Sequence, residues 1–252
     1  MTSSIQLLIC TAAILLVALA PLSIQASDPP TEQELAANPP ILFDCFQENF
    51  DRIRDYTSLL LKKETIKGRE YPEDRIRVRF AKPYRIRLDW TGASRGMWAV
   101  YDAGRDPDHI WAKDIGWRGL LGVCRWKVDS KFTRIFHPNR FAVPDISFGG
   151  MIDQLRRYFD LAKKLDTLEM EYRGKVEAPL AGVRSYYIHA DLSPDPADGF
   201  LCRSADMYLD TERCMPVNVT LWGWEGELLG YYAETDLRYN VGLTEADFEF
   251  ER

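Results

Sequence analysis

The chain has 252 residues, 46% of them hydrophobic, and a formal net charge of −6. That length supports one domain with a sizeable core. The mildly acidic balance excludes a general attraction for nucleic acid or for anionic lipid headgroups.

Residues 1–26 carry no charged side chain, and Leu7 to Ala20 is almost wholly apolar, broken by Thr11 and ended by Pro21. An apolar run this short fits the core of a signal peptide better than a membrane-spanning helix. Ser23-Ile24-Gln25-Ala26 offers a small residue for cleavage, so residues 1–26 are predicted to be a signal peptide and Ser27 the mature start. The n-region has no Lys or Arg, which keeps an uncleaved N-terminal anchor open as the alternative. Cys10 lies inside the apolar core and is not a lipoprotein cysteine. The mature protein is expected to be exported, to the periplasm or cell envelope.

Residues 27–40 read as a polar, proline-bounded linker, in which Thr31-Glu32-Gln33-Glu34 caps a short helical turn. A single domain is expected over 41–252. It opens with an amphipathic helix, Ile41 to Tyr56, whose Leu42, Cys45, Phe46, Phe50 and Ile53 share a face. The period then changes to two. Tyr56–Lys67 is strand-like and turns at Gly68. In Arg75–Phe80 and Tyr84–Trp90, on either side of Lys82-Pro83, Ile76, Val78, Phe80, Ile86, Leu88 and Trp90 alternate with arginines. That pattern predicts a half-buried antiparallel sheet with a solvated outer face.

Further strands are predicted at Met97–Tyr101, His109–Lys113, Arg125–Val128, Leu168–Arg173, Val183–Ala190 and Leu201–Leu209. A helix, Met151–Leu165, follows Phe148-Gly149-Gly150 and carries Lys163 and Lys164 in its last turn, as the helix dipole favours. From Asp206 onward, strands with polar turns at Asp210–Arg213 and Glu225–Glu227 form an antiparallel meander that runs through Leu228–Leu237.

Chemistry is sparse. Four cysteines follow Ala26: Cys45, Cys124, Cys202 and Cys214. Strand geometry places Cys202 too far from Cys214 to bridge, and buried or idle thiols are the default. No zinc spacing is present. His189 and Asp191 share a strand face, as half of an acid–base or metal site or, the better reading, as an exposed polar pair. Asp102, Asp106 and Asp108, and Asp191, Asp195 and Asp198, lack calcium-loop spacing and read as ordinary turns. Phe148-Gly149-Gly150 either cradles an anion or admits the helix to a tight corner. No catalytic residue, cofactor or metal is predicted.

The order of parts, with the stretches RIRVRFAKPYRIRLDW and MWAVYDAG, resembles the lipoprotein carriers, and the stretches RGLLGV, FHPNRF and GGMIDQLRRYFDLAKKL resemble more specifically a bacterial envelope family catalogued as a domain of unknown function. That family is related to the outer-membrane lipoprotein carriers, the LolA/LolB-like superfamily, and the resemblance covers residues 41–250. It implies an α+β fold: a curved, incompletely closed antiparallel β-barrel covered on its concave side by helices. In the carriers the cavity holds the acyl chains of a lipoprotein in transit; for this chain the expectation is a non-enzymatic envelope protein that binds a lipid or acylated ligand in an apolar cavity, in lipid or lipoprotein trafficking.

The cavity is expected to be lined by Ile76, Val78, Phe80, Ile86, Leu88, Trp90, Trp98, Trp111 and Trp222. The alternatives are a structural or protein-interaction domain of the envelope with a filled core and no ligand, and, with least support, an enzyme. An envelope protein partner and a monomer complete the expectations.

Overall fold

The computed structural model of the protein describes residues 29–115, 122–128 and 139–250. The predicted signal peptide, His137, and parts of the quoted RGLLGV and FHPNRF stretches lie outside them.

The strands are β1 (Asp55–Ile66), β2 (Arg69–Glu70), β3 (Asp74–Ala81), β4 (Arg85–Trp90), β5 (Trp98–Asp102), β6 (His109–Lys113) and β7 (Val123–Lys127), followed by β8 (Glu169–Glu177), β9 (Arg184–Asp191), β10 (Ser204–Asp210), β11 (Pro216–Trp222) and β12 (Leu228–Tyr239). They form one antiparallel sheet in the order β7-β6-β5-β4-β3-β1-β12-β11-β10-β9-β8, with β2 beside β1. Strands β7 and β8 are its two ends and do not pair among the described residues, so the curved sheet is an incompletely closed barrel. Helices α1 (Glu32–Ala37), α2 (Ile41–Arg52) and α3 (Phe148–Leu165) cover the concave side. This is the architecture that the resemblance implied.

Alternation decides the faces. Ile76, Val78 and Phe80 pair with Trp90, Leu88 and Ile86, so the six residues share one face, and all are buried. The opposite face is not simply solvated. Arg79 Nη1 donates to Asp89 at 2.7 Å, and Arg87 Nε donates to Asp89 at 3.1 Å. Arg87 Nη1 also reaches the Glu249 carbonyl, which ties the C-terminal segment to the convex side.

Helix α2 ends at Arg52, short of the predicted Tyr56. Ile53 is extended, and Tyr56 enters β1, where its ring stacks on Phe80 at 5.1 Å. Helical spacing carries the apolar face from Phe50 on to Ile53 and Tyr56, and both are buried, so the burial pattern alone does not mark the boundary. Helix α3 begins earlier than predicted, capped by Ser147 Oγ, which accepts from Gly150 N at 3.1 Å. A Cβ on Gly150 would lie 2.5 Å from the Pro144 carbonyl oxygen, so this glycine admits the helix to a tight corner.

Two expectations change. The segment expected to be a linker is folded onto the sheet from Pro30 onward. Its helix α1 has the Thr31–Glu34 capping box, Leu35 is fully buried, and Tyr186 donates to the Pro30 carbonyl at 3.2 Å. Cys45 and Cys214 are not idle thiols: they form a disulfide with Cα atoms 5.9 Å apart. Fold topology alone brings the buried face of α2 against the β10–β11 turn. Cys124 and Cys202 are free.

Candidate functional site

A cavity lies between α2, α3 and the concave face of β1 and β9 to β12. The helices supply Phe43, Phe46, Leu155 and Phe159 to its wall. Alternation on β10 supplies Ala205, Met207 and Leu209, and their partners on β11 include Val219 and Leu221. The cavity has a volume of about 130 Å³.

The wall has a small polar part. Lys62 Nζ lies 3.0 Å from Glu64 Oε2 and also donates to Asn139 Oδ1. Glu64 Oε1 accepts from Arg140 N at 3.1 Å and from the Tyr232 hydroxyl at 2.5 Å. Arg140 Nη2 in turn donates to the carbonyls of Thr65 and Leu229. A buried ion pair persists only when its remaining polar atoms are bonded in this way. Burial, with Glu64 beside it, pushes the Tyr232 phenol well above its ordinary value. Glu234, opposite Leu60, also lines the cavity, and burial pushes its carboxyl from 4.5 up to about 7.

None of the nine residues expected to line a cavity lines this one. Ile76, Val78, Phe80, Ile86, Leu88 and Trp90 fill the β3–β4 half of the barrel, where Phe80 also packs on Phe50 and Tyr84. Trp98 and Trp111 share the convex face with Arg87 and Asp89. They are covered by Phe250, whose ring lies 5.1 Å from Trp98 and 5.8 Å from Trp111. Trp222 is also on the convex face, and its Nε1 donates to Asp206 at 2.7 Å. The residues that do line the cavity carried a readable signal, the alternation of Met207, Leu209, Val219 and Leu221 in the meander.

The His189–Asp191 pair gains a neighbour from the next strand. His189 Nδ1 lies 2.8 Å from Asp206 Oδ1, and Nε2 lies 3.4 Å from Asp191. Burial works to raise the Asp206 carboxyl, but bonds from His189, Trp222 and Tyr187 hold it below its ordinary value. The cluster lies on the convex face, away from the cavity. Among the described residues no group of three or more His, Cys, Asp or Glu is placed to hold a metal ion. The acidic loops are turns: Asp102 Oδ1 accepts from Gly104 N and Arg105 N, and Asp195 Oδ1 from Ala197 N.

A family model described as a protein of unknown function, DUF1571, matches residues 53–252. The chain belongs to the DUF1571 family. Among solved structures, this DUF1571 chain is similar to an uncharacterized conserved protein from Thermus thermophilus, with 10% identity and a TM-score of 0.50 over 85% of this chain and 94% of that one. It is similar to MucB, known also from a Pseudomonas aeruginosa MucA/MucB complex, with 14% identity and a TM-score of 0.50; the match covers 85% of this chain and 63% of MucB. A LolA superfamily protein, NE2245 from Nitrosomonas europaea, is also similar, with 9% identity and a TM-score of 0.38 over 83% of this chain and 96% of that one. At these identities the likeness is one of fold. A comparison with curated proteins finds no match.

Proposed function

We propose that this DUF1571 protein is a non-enzymatic protein of the cell envelope that holds the acyl chain of a lipid or of an acylated protein. The observation that carries this reading is the apolar cavity beneath α2 and α3. Burial alone would hold an acyl chain there, at about 0.8 kcal/mol per methylene. The carriers with this fold make trafficking of a lipid or lipoprotein the natural role. The envelope location rests on the signal peptide predicted at residues 1–26. No helix of the described residues is long and apolar enough to cross a membrane.

A protein-interaction role is the second reading. It is favoured by the filled β3–β4 half and by the end strands β7 and β8, which have no outer partner among the described residues and so offer backbone groups to one. The likeness to MucB, which is found in complex with MucA, agrees with it.

Native mass spectrometry of the protein from its own envelope, together with titration of an uncharged fluorescent acyl ester, tests the first reading. Co-purifying lipid and micromolar or tighter binding are expected. Ala205→Trp, which fills the cavity, is expected to remove both. If the wild type carries no lipid and binds no ester, the interaction reading stands instead.

A further inference from the structure

The carboxyl group of Glu234 is weakly paired in the wall of the cavity. The residue stands on the concave face of β12, is only 7% exposed, and lines the cavity. Its Oε2 meets no donor at full hydrogen-bond geometry; the one side chain that acts on it is Ser58 on β1, whose Oγ has no other partner and works against burial to lower the carboxyl's pKa. Lys62, on the same face of β1, does not answer it, because its ammonium group is held by Glu64 and Asn139. A buried carboxyl so weakly paired lowers stability, a loss that an apolar side chain of similar size would avoid. A few polar groups in an otherwise apolar pocket are what orients a ligand.

We propose that Glu234 is the polar anchor of the cavity, and that its ligand is an acyl chain whose first polar group donates a hydrogen bond, as an amide N–H does. This deepens the acyl-binding reading above and rests on it. In either protonation state a Glu234 oxygen is free to accept from an N–H. An ester offers no donor. A carboxylate brings a second negative charge into a site already facing Glu64, whose charge Lys62 balances. The other ionisable groups around Glu234 do not supply a cation. Tyr56 and Tyr239 are phenols beside it on β1 and β12, and Asp145 and Tyr158 line the helix side of the cavity. The shared chemistry has two sources, an N-acylated peptide terminus and an amide-linked lipid.

Lauramide, methyl laurate and laurate carry the same chain and separate the possibilities by calorimetric titration at pH 8. The wild type is expected to bind lauramide about tenfold tighter than methyl laurate, and laurate most weakly. In Glu234→Leu the preference for lauramide should vanish while methyl laurate binds no worse. Glu234→Gln keeps a carbonyl acceptor, so it should retain the lauramide preference and admit laurate; loss of the preference there would overturn the proposal. Equal binding of lauramide and methyl laurate by the wild type would overturn it too, yet leave the acyl-binding reading standing. Failure of the wild type to bind either would remove that reading as well. A lauroylated dipeptide amide and a lauroyl ceramide then identify the source. If neither exceeds methyl laurate, the anchor is refuted.

Discussion

Cys45, on the buried face of α2, is joined to Cys214 in the β10–β11 turn across 169 residues of sequence. The bond fixes one cover helix to the carboxyl-terminal half of the sheet, beside the cavity. Closing so long a loop restricts the unfolded chain strongly. Reduction, or Cys45→Ala with Cys214→Ala, is therefore expected to lower stability by about 2–5 kcal/mol. Urea midpoints of oxidised and reduced protein measure this; coincident curves would mean that the bond contributes nothing.

Glu234 makes stability depend on pH in a direction opposite to that of most carboxylates. Its folded-state value, about 7, lies above the ordinary 4.5. The native state therefore binds the proton more tightly than the unfolded chain does, and stability falls as pH rises from about 4.5 through 7. The full loss is on the order of 3 kcal/mol. Glu234→Leu is expected to be more stable than wild type at pH 8, with a much smaller difference at pH 4. Chemical denaturation at the two pH values checks it, and a gain independent of pH would show that ionisation is not the cause.

Phe80 is fully buried in the filled half and does not line the cavity. Phe80→Ala should cost about 3–5 kcal/mol and leave acyl binding by the folded protein unchanged. Ala205→Trp should show the reverse pattern, lost binding with little loss of fold. Melting curves paired with titrations of the acyl ester decide it; weakened binding by folded Phe80→Ala would extend the site into β3 and β4.

Phe250 covers two tryptophans on the convex face. Phe250→Ala is expected to expose Trp98 and Trp111, shift tryptophan emission to the red, and cost about 1–2 kcal/mol. An unshifted spectrum would place the two indoles in contact with something other than the tail.

Much of the sheet was legible because its strands alternate. Ile76, Val78 and Phe80 against arginines leave one choice of face, and the meander from Asp206 onward has turn residues where the turns occur. The site was less legible for a specific reason. Along Met97-Trp98-Ala99-Val100-Tyr101 every side chain is apolar or aromatic, so the period carries no parity. Trp98 looked like a lining residue when it is a convex one sheltered by the tail. The disulfide was hidden for a different reason, since nothing local relates a helix at Cys45 to a turn at Cys214. Cavity and filled core also share the same alternation; which half stays open depends on how α2 and α3 lie across the sheet.

Strand β1 has two long neighbours, and they are made at very different times. It pairs with β3 from Asp55 to Lys62, and with β12 from Tyr56 to Glu64. Every other pairing in the sheet joins strands adjacent in sequence. During synthesis the amino-terminal meander can therefore assemble early, but it keeps one bare edge along β1 until nearly the whole chain has been made. Non-local pairing of this kind is slow, and an unpaired edge invites association with other chains. The β1–β12 seam is thus the step at which two half-sheets become one protein. A chain stopped before Leu228 would not be a smaller version of the fold, but two open half-sheets held together only by the Cys45–Cys214 bond and the cover helices.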